Sequence, residues 1–116
     1  QTRDNLATFA TEAPLSDKEW ETVLEVGRRM TAPEALACTG CHYCVSHCPQ
    51  GLDIPHLLAL YNEHRFTGGG FIAPMALSAL PKEKQPSACI GCRSCEAVCP
   101  QQLKIAQAMA DFSARR

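Results

Sequence analysis

Cys38-Thr-Gly-Cys41-His-Tyr-Cys44-Val-Ser-His-Cys48-Pro49 and Cys89-Ile-Gly-Cys92-Arg-Ser-Cys95-Glu-Ala-Val-Cys99-Pro100 are two copies of one pattern, and all eight cysteines of the chain lie in them. The pattern is C-x₂-C-x₂-C-x₃-C-P, the spacing of [4Fe–4S] ligation. Three thiolates so close in sequence can hold three corners of one cubane, and the fourth sits about one helical turn further on. In proteins with two such runs the fourth cysteine serves the other cluster. The pattern therefore assigns Cys38, Cys41, Cys44 and Cys99 to one cluster, and Cys89, Cys92, Cys95 and Cys48 to the second.

Two rival chemistries use the same residue type. A zinc tetrahedron calls for cysteine pairs separated by a longer loop, whereas here the third cysteine follows at once. A disulfide scaffold fits the even count, but such domains are smaller and carry a secretory signal, which is not seen here.

The chain has 116 residues, enough for one modest core. Eleven Lys and Arg stand against 12 Asp and Glu, for a formal charge of −1, and eight cluster-bound thiolates would make the protein more acidic still. There is no basic stripe of the kind that grips nucleic acid. No apolar run is long enough to span a membrane; the longest candidate, Phe71 to Leu80, contains Pro74. Cysteines held as cluster ligands suit a reducing compartment, so a cytoplasmic location is expected. Residue 1 is Gln rather than Met, which reads as a trimmed chain or the tail of a longer one.

Helical signals dominate the rest. Residues 3–10 form a short helical piece. Ser16 and Glu19 make a capping box, with Leu15 and Trp20 placed as a hydrophobic staple. Trp20, Val23, Leu24 and Gly27 then recur at helical spacing, a stripe expected to pack in the core up to a break at Thr31-Ala32-Pro33. After the first motif, Asp53-Ile54-Pro55 starts a helix to about Phe66, with Ile54, Leu57, Leu58 and Tyr61 on one face. Thr67-Gly68-Gly69-Gly70 stops it. Phe71–Leu80 reads as a weaker helix interrupted at Pro74 and lying as a lid across the repeats. A last helix from about Leu103 puts Ile105, Ala108, Met109 and Phe112 on one stripe. No stretch alternates with period two, so the domain is expected to be all-α, with an N-terminal segment 1–31 and a cluster domain 32–116.

The repeat extends past the cysteines. A shift of 51 residues also superposes Ala37, Gly40, Gln50, Leu52 and Ile54 on Ala88, Gly91, Gln101, Leu103 and Ile105. Each half is a cluster-binding turn followed by an amphipathic helix, which predicts a pseudo-twofold pair. Gly40 and Gly91 would let the backbone pass close to the cluster.

With 40 residues between Cys48 and Cys89, the chain resembles the α-helical ferredoxin fold. That group includes the cluster domain of succinate dehydrogenase iron–sulfur subunits and the cluster subunit of heterodisulfide reductases. The runs Cys48-Pro-Gln-Gly-Leu-Asp-Ile-Pro, Leu-Ala-Leu-Tyr-Asn-Glu and Cys99-Pro-Gln-Gln-Leu look closer still to the C-terminal cluster domains of a subset of bacterial aldo/keto reductases. Asp4-Asn5-Leu6-Ala7-Thr8-Phe9 and Pro14-Leu15-Ser16 look like the exit from such a barrel. The resemblance implies an electron-transfer domain with two [4Fe–4S] clusters, its partner being an upstream reductase-like domain or a separate redox protein. A barrel needs about 250 residues, so no catalytic site of that kind is expected in this chain. Clusters acting as structural staples are the rival from another class.

Several residues invite more than their spacing supports. His42 and His47 are expected to be exposed or hydrogen-bonded without a redox role, and His56 and His64 to lie on helix surfaces. Tyr43 is expected to pack over the first cluster, and Arg93 and Glu96 to be a solvated face.

Overall fold

In the computed structural model, residues 1–11, 13–30 and 35–115 are described, and among them every regular element is helical. The chain divides into two compact units, Gln1–Ala32 and Pro33–Arg116. The break expected at Thr31-Ala32-Pro33 lies outside the described residues.

The first unit holds α1 (Thr2–Phe9) and α2 (Asp17–Met30). The capping box at α2 forms: the Ser16 N–H donates to Glu19 Oε2 at 2.8 Å, and the Glu19 N–H turns back to Ser16 Oγ at 3.4 Å. The Ser16 hydroxyl is the larger of two Ser16 donors that hold the Glu19 carboxyl below its usual range. The apolar stripe of α2 behaves differently from the expectation of a core. Trp20, Val23 and Leu24 are about half exposed, and α2 buries none of its residues. Helical spacing identifies a face without saying what covers it.

The second unit is built on α3 (Ile54–Phe66) and α6 (Ile105–Ala114), with α4 (Ile72–Ser78) packed on α3 and α5 (Ser94–Ala97) beside α6. Asp53 caps α3, accepting the His56 N–H at 3.3 Å, and Pro55 opens its first turn. The four positions read from each helix stripe are all buried: Ile54, Leu57, Leu58 and Tyr61 on α3, and Ile105, Ala108, Met109 and Phe112 on α6. These are equivalent pairs under the 51-residue shift. The last pair meets directly, Tyr61 and Phe112 rings lying edge to face with centroids 5.5 Å apart. The Tyr61 hydroxyl donates to Asp111 Oδ2 at 2.5 Å, which extends the contact between the two helices.

Repetition reaches the backbone. His42 O accepts from Val45 N and Arg93 O from Glu96 N; Cys48 O accepts from Gly51 N and Cys99 O from Gln102 N. The helix starts match too, with Leu57 N bonding Asp53 O and Ala108 N bonding Lys104 O, each at 3.0 Å. Left-handed residues fall at Gly40, His42 and Gly51 in the first half and at Gly91, Arg93 and Gln102 in the second.

Three local expectations need correcting. Pro74 does not interrupt a helix; it sits in the first turn of α4, where a missing N–H leaves no helix bond unmade. Between α4 and the second motif the chain makes two short 3₁₀ turns, Lys82–Lys84 and Pro86–Ala88. α4 buries Ala73 and Leu77 against α3 rather than bridging both repeats evenly. His64 is buried at 9% exposure, its ring tilted against Phe112, because α3 carries a fuller apolar face than four stripe positions suggested.

Two stability outcomes follow. Met109→Ala, at a fully buried site, is expected to cost about 2–5 kcal/mol in urea unfolding. Gln102 holds φ at 52° where the first half has Gly51, a conformation costing a non-glycine residue about 1–2 kcal/mol. Gln102→Gly should therefore stabilise by on the order of 0.5 kcal/mol after the added chain entropy of glycine; a lower urea midpoint would refute this.

Candidate metal centres

The geometry of each cysteine run begins with its left-handed residues. Gly40 at φ 65° and His42 at φ 63° alternate with ordinary residues, and the chain then tightens into a turn over residues 43–47. Gly91 at φ 69° and Arg93 at φ 61° do the same in the second half, and there the turn closes as α5. Such alternation curls the chain and gathers backbone N–H groups into a concavity. Cα substituents at Gly40 and Gly91 would meet no atom within 4 Å, so glycine is there for its backbone rather than for room.

The eight thiols gather in two foursomes. Cys38, Cys41, Cys44 and Cys99 line one cavity, with Pro55, Leu58, Leu103 and Ile105 among its walls. Cys89, Cys92, Cys95 and Cys48 line the other, with Leu52, Ile54, Ile105 and Met109 among its walls. In both foursomes the third cysteine is buried, the second exposed and the other two half-buried. Each cavity takes its fourth thiol from the opposite half of the chain, and Ile105 borders both. Among the described residues, no three His, Cys, Asp or Glu side chains are grouped as they would be around a single metal ion.

Electrostatics distinguish the thiols by depth. Burial pushes the Cys44 thiol up, with the neighbouring Cys38, Cys41 and Cys99 adding to the effect. Burial likewise pushes Cys95 up to about 11, reinforced by Glu96, Cys89 and Cys44. Cys92 is lowered by hydrogen bonds from the Ser94 backbone and side chain. Metal ligation needs thiolates, so deep cysteines of this kind release protons as iron enters, which couples loading to pH and to folding. The Leu52 N–H approaches Cys48 Sγ at 3.5 Å, the sort of donor that hydrogen-bonds cluster sulfur. Four thiols on apolar walls, twice over, fit two cubanes.

Several supports were not legible in the sequence. Asn62 on α3 grips Leu36 with two bonds of 2.8 Å, from its amide to Leu36 O and from Leu36 N to its carbonyl, fixing the chain as it enters the first run. Gln85 Nε2 donates to Leu77 O and Leu80 O, each at 2.9 Å, closing the end of α4. Lys84 Nζ donates to Gln50 O and Gly51 O, each at 3.0 Å, so the spacer returns to the loop after Cys48. Glu96 is not a solvated face. It is half-buried, and Oε1 accepts the Ala106 N–H at 2.8 Å in the first turn of α6. Arg93 is exposed and lines the second cavity. A carboxylate ten residues before the N–H it accepts gives no capping signal in sequence, because local rules look only three residues ahead.

The histidines and Tyr43 divide as follows. His42 is exposed and lines the first cavity; His47 is exposed, its Nδ1 3.0 Å from Tyr43 O; His56 is exposed on α3. Tyr43 is 62% exposed and is not part of the first cavity wall, so it does not pack over that site as expected. The turn that brings the cysteines inward turns the residue before Cys44 outward.

Comparison with known proteins agrees with this chemistry. Over 92 residues the chain is 29% identical to acetyl-CoA decarbonylase/synthase complex subunit alpha 1 of Methanosarcina acetivorans, covering 79% of this chain and 10% of that protein. Over 101 residues it is 32% identical to the probable glycolate oxidase iron–sulfur subunit of Bacillus subtilis, covering 79% of this chain and 21% of that protein. The chain thus spans about a tenth to a fifth of the length of these relatives. No solved structure matches it. No helix among the described residues is long and apolar enough to cross a membrane. Residues 37–106 match the family of 4Fe-4S dicluster domains, and with both thiol-lined cavities inside that span, the chain belongs to this family and carries two [4Fe–4S] clusters.

Proposed function

We propose that this chain is the electron-transfer module of a larger oxidoreductase, its two cubanes forming a short path for single electrons. Cys38, Cys41, Cys44 and Cys99 hold one cluster, and Cys89, Cys92, Cys95 and Cys48 hold the other. The observation that carries the assignment is the gathering of these two foursomes around two separate cavities. When bound, the clusters supply one-electron redox chemistry. The protein's own residues supply the rest: apolar walls that limit water and a backbone N–H at Cys48 sulfur. With four cysteines for each cubane, no iron is left open to a substrate, so chemistry on a substrate belongs to a partner.

The partner is read at two levels. Two relatives are named as subunits, one of a decarbonylase/synthase complex and one as the iron–sulfur subunit of a glycolate oxidase. Those names favour a module that docks on, or is continuous with, a separate catalytic unit. The resemblance of Cys48–Pro55 and of the segment before Ser16 to cluster domains fused behind aldo/keto reductase barrels supports a narrower parent of that type, with residues 1–31 as the connection. Hydride transfer between a nicotinamide and a carbonyl has no one-electron intermediate, so such a parent would also need a flavin or an external carrier. A cytoplasmic setting suits assembled clusters.

Anaerobically prepared protein is expected to contain about eight irons and eight acid-labile sulfides per chain, with a visible band that dithionite bleaches. Little iron after reconstitution, or clusters that resist reduction, would leave only a structural role. The crossed ligation has its own check: Cys99→Ser should alter the same electron paramagnetic resonance signal as Cys44→Ser, and Cys48→Ser the same one as Cys95→Ser. Pairing of Cys48→Ser with Cys44→Ser would sink it.

A further inference from the structure

The supports of the two foursomes differ in kind and do not follow the 51-residue repeat. At the second, Cys48 has to cross from the first half, and 40 residues separate it from Cys89 in the chain. Lys84 shortens that distance. Its Nζ donates to Gln50 O and to Gly51 O, each at 3.0 Å, and so holds the turn that the Gly51 N–H closes on Cys48 O at 2.9 Å. Cys48 and Gln50 both line the second cavity. From Lys84 the chain needs only five positions, through the turn Pro86–Ala88, to reach Cys89, whose N–H bonds Pro86 O at 3.1 Å. The next residue, Gln85, is buried and bonded to Leu77 O and Leu80 O, so the clamp stands on a fixed base. A crossing that is remote in sequence becomes local by way of Lys84.

The first foursome is supported from α3. Asn62 clasps Leu36 through two bonds of 2.8 Å, and Leu36 O also accepts the Cys38 N–H at 2.8 Å. Pro55 and Leu58 of the same helix line the first cavity, so one element supplies both its wall and the anchor of its first cysteine. Ser113, the equivalent of Asn62 under the repeat, instead bonds Met109 O within α6 at 2.9 Å.

We propose that Lys84 and Asn62 are positioning residues, each serving one site: Lys84 sets Cys48 for the second foursome, and Asn62 sets Cys38 for the first. Neither is a ligand; each acts on the backbone beside one. An outer support that fixes a ligand in advance strengthens metal binding at that site, and its loss typically weakens binding by about 10- to 100-fold. The two supports share no residue, so loss of one leaves the other site at its parent strength. This inference rests on the two-cluster reading and the crossed ligation proposed above.

The test is a challenge of the anaerobic holoprotein with excess EDTA, in which emptied sites are marked by thiol alkylation and each cysteine is read by mass spectrometry. No redox step enters the readout, so a failure of electron transfer would leave the test intact. In Lys84→Met, Cys48, Cys89, Cys92 and Cys95 should become alkylated about 10-fold faster than in the parent protein, while Cys38, Cys41, Cys44 and Cys99 keep the parent rate. Asn62→Ala should show the reverse. Lys84→Arg, which keeps two donors on a long side chain, should restore the parent rate. Lys84 is exposed, so its arm of the test stands even if Asn62→Ala fails to fold. Equal acceleration of all eight thiols in Lys84→Met, acceleration of the first foursome alone, or no change would each overturn the positioning role. In the parent protein, Cys48 becoming reactive together with Cys38, Cys41 and Cys44 would overturn the crossed ligation, and this inference with it.

Discussion

Each thiol-lined cavity is completed by a cysteine from the opposite half of the chain, and the arrangement of the second unit depends on this crossing. Cys99 can reach the first foursome, and Cys48 the second, only if the two halves lie against each other in one register. That register is set by α3 and α6. Their equivalent apolar residues bury one another, and Tyr61 meets Phe112 at the end of the shared face. Packing between the helices and closure of the metal sites are thus two aspects of one constraint. In the crossed ligation proposed above, metal would tie together segments that 40 residues separate, and such ties contribute directly to folding free energy.

A repeated backbone allows the side chains on it to diverge. Hydrogen bonds and left-handed residues recur at a constant offset, so both runs curl in the same sense. Where the halves differ, the differences concern support and charge. α3 is capped by its own Asp53, while α6 relies on Glu96 from the preceding motif. An imidazole borders one site and a guanidinium the other.

The first unit belongs to a different kind of argument. α2 has a well-formed start and an apolar stripe, yet Trp20, Val23 and Leu24 stay about half exposed. A stripe of this size on a helix is a surface suited to contact, and the pattern that reveals the stripe carries no information about what it contacts.

What the sequence determined by itself were the features that local chemistry dictates. Cysteine spacing specified cubane ligation, because few metals and few scaffolds accept three thiolates so close together. The capping box at Ser16 and the stripes of α3 and α6 followed from helix geometry, and the 51-residue offset announced two like halves. What only the tertiary structure decided were contacts between residues far apart in the chain: Glu96 reaching Ala106, Asn62 holding Leu36, Lys84 returning to Gln50, and His64 buried against Phe112. None of these has a periodic or neighbouring signal. Each arises because closing the halves on one another brings a polar side chain to a backbone group, or a ring to a ring, that the linear order keeps apart.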